Sequence, residues 1–125
     1  ADWFLRPGWN VFGCLSSVRG RSLASGDNLN DIPPVRLSGG TRLWLGLVSL
    51  GLNGSVQLEK DNPGPVEVPI PGAAIVDFRA VWTCRRWDLY LSLANLFNAR
   101  YLARPDAEAM PEPARSLRLG IARAF

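Results

Sequence analysis

The sequence predicts an all-β chain: an antiparallel up-and-down meander of about six strands that forms part of a large transmembrane β-barrel. Three observations predict it. Apolar and polar residues alternate with period two along most of the chain, as half-buried strands require. Very short and long connections follow one another in strict alternation, the pattern of a barrel with tight turns at one rim and long loops at the other. All five tryptophans stand beside the short connections and none lies in a long one.

Trp9 to Arg19 is the first full strand, and its faces are ambiguous because Val11 and Leu15 compete with Phe12 and Val18. A stub from Asp2 to Leu5 precedes it, closed by the turn Arg6-Pro7-Gly8. Val35 to Leu47 sets Leu37, Leu43, Leu45 and Leu47 against Arg36, Ser38 and Arg42. The turn Val48 to Gly51 leads to Leu52 to Lys60, where Leu52, Gly54, Val56 and Leu58 oppose Asn53, Ser55, Gln57 and Glu59. In Ala73 to Cys84, Val76, Phe78, Ala80 and Trp82 oppose Asp77, Arg79 and Thr83. The turn Arg85-Arg86 leads to Trp87 to Phe97, with Trp87, Leu89, Leu91 and Leu93 on one face. Arg115 to Phe125 is the last strand, its Leu117, Leu119, Ile121 and Phe125 opposite Ser116, Arg118 and Gly120.

The long connections are Gly20 to Pro34, Asp61 to Gly72 and Asn98 to Ala114, all rich in Pro, Asn, Asp and Gly. Ten residues at about 3.3 Å each, tilted by about 45°, span roughly 23 Å, close to the apolar band of about 25 Å that barrels present to lipid. Trp3 and Trp9 flank the first short turn, and Trp82 and Trp87 flank the third. An indole has an apolar body and an N–H donor, which suits the membrane–water boundary. Trp44 lies before the second turn, but its register points it away from lipid. Tryptophans filling a soluble core are the alternative.

Composition narrows the function. The chain has 125 residues, 47% of them hydrophobic, with 12 Gly and 10 Pro. That is too apolar for disorder and too punctuated for long helices. It begins at Ala1 and its one methionine is Met110, so it reads as a processed product or a piece of a longer chain. The net charge of +3 is carried by scattered arginines that form no stripe for nucleic acid. There is no histidine, and Cys14 and Cys84 have neither zinc nor redox spacing. No catalytic set, metal site or cofactor is expected, because the serines lack a base and no cysteine has a basic partner at motif spacing. Gly26 to Asp31 hints at cation binding, but Leu29 stands where a calcium loop needs oxygen, so a turn rich in Asx residues is the preferred reading.

Four segments carry a family resemblance. They are Ile32-Pro33-Pro34-Val35-Arg36-Leu37, Pro71-Gly72-Ala73-Ala74-Ile75-Val76-Asp77-Phe78, Asn95-Leu96-Phe97-Asn98 followed by Arg100-Tyr101, and Arg115-Ser116-Leu117-Arg118-Leu119-Gly120 with the terminal Phe125. In order and spacing they resemble the closing strands of TonB-dependent outer-membrane receptors. The chain departs from that pattern at Asn98, where Asp is usual, at Ala114, where Gly is usual, and at Arg123, where an aromatic is common.

The resemblance implies that residues 1–125 are the C-terminal part of such a receptor barrel, with the plug domain and earlier strands lying outside the chain. It implies a bacterial outer-membrane location, no enzymatic activity, and import of a ferric siderophore or a similar bulky nutrient. Implied partners are outer-membrane lipid, the small-molecule ligand, the TonB–ExbB–ExbD complex through the missing N-terminal region, and the barrel assembly machinery, with Phe125 as assembly signal. Arg36, Arg42, Arg79 and Arg118 are the candidate lumen-facing ligand contacts. Either they attract anionic chelates, or they pair with Asp77, Asp88, Glu59 or plug carboxylates. A soluble β-sandwich or small barrel binding carbohydrate or a lipid-like ligand is the competing function. The discriminating feature is whether the apolar face is enclosed.

Overall fold

The computed structural model describes residues 1–102 and 112–123. Within them the alternating segments form seven strands: β1 (Asp2–Arg6), β2 (Trp9–Ser16), β3 (Arg36–Leu45), β4 (Val48–Gln57), β5 (Ala73–Cys84), β6 (Trp87–Ala94) and β7 (Ser116–Arg123). All seven join one sheet in chain order, every neighbour antiparallel. The meander is as predicted. The stub before Trp9 is a full member of it, since Asp2, Trp3 and Phe4 pair with Phe12, Val11 and Asn10.

Several predicted boundaries shift. The second short turn is Gly46-Leu47, not Val48 to Gly51. Gly46 adopts φ +61°, which a glycine takes without a Cβ clash, so the chain reverses there. Val48 then begins a ladder to both neighbours that runs ten residues. β2 stops at Ser16 rather than Arg19, opposite Arg36, the first residue of its partner. β6 stops at Ala94 rather than Phe97, because Asn95 turns to φ 52°. β7 runs from Ser116 to Arg123, and the predicted terminal residue Phe125 lies outside the described residues.

Register sorts the side chains into two faces, because paired residues project to the same side. One row runs Trp3, Val11, Thr41, Leu52, Phe78, Leu93, Leu117 from β1 to β7. The next row toward the short turns runs Trp9, Leu43, Leu50, Ala80, Leu91, Leu119. This face is apolar almost throughout. Its Thr41 hydroxyl accepts a hydrogen bond from Trp9 Nε1 at 2.7 Å and donates to the Asn10 carbonyl at 3.1 Å. The ambiguity in β2 resolves with Val11 and Leu15 on the apolar side and Phe12 opposite.

Among the described residues nothing covers the apolar face. Leu117, Leu119 and Ile121 are 61%, 70% and 62% exposed, and Ile70 and Ile75 are the buried apolar side chains among the described residues. A sandwich would enclose such a face between two layers. The described residues form one layer.

The staggering of the turns carries the geometry of the sheet. Trp9 begins β2 opposite Leu43, and β3 continues two residues further to Leu45. Val48 begins β4 opposite Trp82, and β5 continues two residues further to Cys84. The short-turn edge therefore slips one residue per strand. A slip of about 3.3 Å per 4.8 Å of sheet width places the turns on one level only when the strands tilt by about 35°. That is the lower end of the tilt of closed barrels, about 35–45°.

Candidate functional site

The face opposite the apolar one is built from small and polar residues, and the four predicted arginines all lie on it. Arg42, Arg79 and Arg118 share a single row: Asn10, Arg42, Gly51, Arg79, Ser92, Arg118 across β2 to β7. Arginines on alternate strands are separated by the smallest partners available, Gly51 and Ser92, which leave room for long side chains. Neighbouring arginine positions are two strand spacings apart, about 9.6 Å. At the tilt of about 35° that would bring the short turns to one level, the row runs obliquely to that level.

Among the described residues none of Arg36, Arg42, Arg79 and Arg118 is ion-paired with a carboxylate; the ion pair recorded there is Lys60–Glu67. Among the described residues these arginines do not pair with Asp77, Asp88 or Glu59, and the plug carboxylates that were the other expected partners lie outside the chain. Asp77 instead accepts the Asn95 N–H at 2.8 Å, and Asp88 accepts the Thr83 hydroxyl at 2.6 Å. Two unit charges about 9.6 Å apart in water repel by only about 0.4 kcal/mol. In water the row therefore needs no acidic partner within the sheet. Arg42 also lies over the Phe12 ring, 5.5 Å from its centroid.

Two aromatic groups border the row. Toward the loops, Phe12 sits opposite Gly40, where an added Cβ would come within 2.8 Å of the ring. Toward the short turns, Tyr90 lies across Gly120, where an added Cβ would meet the ring at 1.9 Å. Trp44 is on this face opposite Ser49, as its register predicted.

Arg36 stands apart from the row, at the loop end of β3. Its Nη2 donates to Gln57 Oε1 at 3.0 Å, and Gln57 Nε2 donates to the Leu102 carbonyl at 2.9 Å. Gln57 is almost fully buried and ties β3 and β4 to the last long connection. Tyr101 lies nearby. Burial first, then the charges of Glu112 and Asp77, push its phenol up, with Arg36 opposing.

The Asn95-Leu96-Phe97-Asn98 segment has a local physical role. Asn95 and Asn98 both adopt positive φ, a conformation asparagine tolerates. Asn95 is buried and exchanges hydrogen bonds with Ala99, donating to its carbonyl and accepting its N–H, each at 2.8 Å. It also donates to the Pro113 carbonyl at 3.3 Å, while Asn98 Oδ1 accepts the Arg115 N–H at 3.0 Å. The segment thus closes the last connection onto the start of β7, with Asn98 supplying a side-chain acceptor.

A second cluster, which the sequence reading missed, joins the first two long connections. Glu67 pairs with Lys60 at 2.7 Å and accepts the N–H of Gly64 at 2.6 Å and that of Asp31. Lys60 Nζ also donates to the Ile32 carbonyl at 2.7 Å. Burial pushes the Glu67 carboxyl up, but the Gly64 N–H, Lys60 and the Asp31 N–H outweigh it and hold the carboxyl below its ordinary value. Beside this clasp runs an open groove lined by Arg19, Arg21, Asn28, Glu59 and Asp61. The spacing of Asp31 and Glu67 in sequence gives no signal of their meeting.

The predicted tryptophans all lie on the apolar face, exposed or half-exposed: Trp3 and Trp9 on β1 and β2, Trp82 and Trp87 on β5 and β6. A bulge between Phe4 and Arg6 brings Arg6 opposite Trp9, with its guanidinium 5.3 Å from the ring centroid. Arg123, paired with Trp87, lies over that ring at the same 5.3 Å. Cys14 is on the polar face and Cys84 on the apolar face, and both are free thiols.

No family model matches the chain, and no curated protein does. Among solved structures, one described as the copper transporter OprC superimposes on 99% of the chain with a TM-score of 0.87 at 19% identity. The chain spans 22% of that protein's length. At this identity the likeness shows the fold: the seven-stranded sheet matches a portion of a transporter.

Proposed function

We propose that this chain is a wall segment of a TonB-dependent transport barrel in the bacterial outer membrane, and that the barrel takes in an anionic metal chelate such as a ferric siderophore. The observation that carries this reading is the two-faced single sheet. One face is apolar and uncovered, as lipid contact demands, and the other carries an arginine row with no acidic partner among the described residues. In water this single sheet would leave its apolar face exposed at a cost of about 25 cal/mol per Å², whereas a soluble sandwich would enclose it. The likeness to a portion of a transporter supports the same assignment.

In this reading the complete protein supplies the remaining strands and a plug, which couples to the TonB–ExbB–ExbD complex. Phe125 engages the barrel assembly machinery. The arginines concentrate a bulky anion along the wall by focusing the field inside a low-dielectric cylinder. The protein carries out no bond-making chemistry.

Copper is a second cargo, favoured by the description of the matched transporter. Copper(I) selects soft thiolate and thioether ligands. Among the described residues the soft ligands are Cys14 and Cys84, which project from opposite faces and do not converge on one ion, so these residues give more support to an anionic chelate than to a bare copper ion. The test uses the complete polypeptide with Arg42→Gln, Arg79→Gln and Arg118→Gln combined. Uptake of a ferric complex of an anionic chelator should fall about ten-fold or more, the lower end of electrostatic focusing. Uptake of a neutral ferric complex should hold. Unchanged anion uptake alongside copper uptake would replace the chelate reading with the copper one.

A further inference from the structure

The two ends of the sheet differ in charge, and nothing in the proposed transport function uses the difference. The loop end mixes signs: Asp27, Asp31, Glu59, Asp61, Glu67 and Glu112 stand among Arg19, Arg21, Lys60, Arg100 and Arg115. The short-turn end carries Arg6, Arg85, Arg86 and Arg123, all exposed. Asp88 is the carboxylate of that end among the described residues, and it already accepts the Thr83 hydroxyl.

These arginines occupy equivalent positions. Arg6 closes β1 before the first short turn, Arg85 and Arg86 form the third, and Arg123 pairs with Trp87, the residue that follows it. At a tilt of about 35°, within the range of closed barrels, the staggered turns bring all of them to one level along the rim. Two are held against indoles of the apolar face, Arg6 over Trp9 and Arg123 over Trp87. Stacked on the boundary tryptophan Trp9, the Arg6 guanidinium sits at headgroup depth, where its N–H fork can meet an oxyanion bidentately.

We propose that this rim is a binding site for anionic phospholipid headgroups of the periplasmic leaflet, with the phosphates received by Arg6, Arg85 and Arg86. The assignment rests on the membrane-barrel reading and adds to it a lipid preference at one rim. Charge complementarity selects the occupant: three exposed guanidiniums beside an apolar, tryptophan-edged face fit a molecule with an anionic head and an acyl tail, and a free phosphate ion fits only half of that surface.

The experiment inserts the complete polypeptide into vesicles of phosphatidylcholine, with or without a minor fraction of phosphatidylglycerol, and counts the lipids it retains by native mass spectrometry. Retained phosphatidylglycerol should exceed its share of the bilayer, and inorganic phosphate should not displace it. Combined Arg6→Gln, Arg85→Asn and Arg86→Gln should abolish the enrichment, since each basic residue near an anionic surface contributes roughly five-fold in affinity and three together about a hundred-fold. Asn is chosen at position 85 because Arg85 has φ 56°. Arg85→Asn with Arg86→Gln alone, in an exposed turn, keeps the measurement usable where the triple substitution does not assemble, and Arg86→Lys should retain most of the enrichment. Insertion with no preference for phosphatidylglycerol, or a preference the substitutions leave untouched, overturns the lipid assignment alone. Failure to insert into any bilayer overturns the membrane reading and the assignment with it.

Discussion

Leu91 and Ser92 are adjacent on β6 and project to opposite faces, so a substitution at each asks what surrounds each face. Leu91 lies in the apolar row between Ala80 and Leu119, and Ser92 lies in the arginine row between Arg79 and Arg118. If lipid covers the apolar face, Leu91→Arg places a guanidinium near mid-strand in hydrocarbon, at about 2–4 kcal/mol. Loss of the leucine's own transfer adds about 1.5–3 kcal/mol. The total of roughly 3–7 kcal/mol shifts the folding equilibrium by more than about a hundred-fold. Ser92→Asp instead sets a carboxylate one strand spacing from two arginines, and at about 5 Å in water each attraction gives about 0.8 kcal/mol. It should be neutral to mildly stabilising. The assay is denaturant unfolding of the complete polypeptide in phosphatidylcholine vesicles, followed by tryptophan fluorescence and by heat-dependent gel mobility. Leu91→Arg as stable as the parent, or Ser92→Asp as harmful as Leu91→Arg, would refute the assignment of the two faces.

Gly120→Val should destabilise by about 1–3 kcal/mol, because the new side chain occupies the space of the Tyr90 ring. Tyr90→Ala should remove most of that penalty in a double-mutant cycle, and additive losses would show that the ring does not lie over Gly120. The Glu67 clasp should depend on acid. Because the folded carboxyl titrates below its ordinary value, its stabilisation is complete above that value and is lost as pH falls through the lowered one. Protection factors for the Asp31 and Gly64 amides should therefore drop together at acid pH, while those of β5 hold. Glu67→Gln should flatten the dependence, and protection indifferent to acid would rule the clasp out.

What the chain alone determined follows from local periodicity. In β6 and β7 the alternation Trp87, Leu89, Leu91, Leu93 and Leu117, Leu119, Ile121 has one solution, since a slip of one residue would turn every leucine to the polar side. The alternation of short and long connections determined the up-and-down order in the same way. The turn between β3 and β4 was not legible, because Leu43 to Leu52 is apolar on both parities. Pairing chose Gly46-Leu47, where glycine could take positive φ while Val48 joined the ladder. The predicted arginines were identifiable as members of one face, but their meeting in a row was not. Register between β3, β5 and β7 places Arg42, Arg79 and Arg118 in line, and that is a property of three ladders rather than of any segment. The Glu67 clasp and the bonds from Gln57 and Asn95 to the last connection join positions far apart in sequence, where no period or motif links them. Only the assembled sheet, by bringing loop ends together above paired strands, decided which of those polar groups would meet.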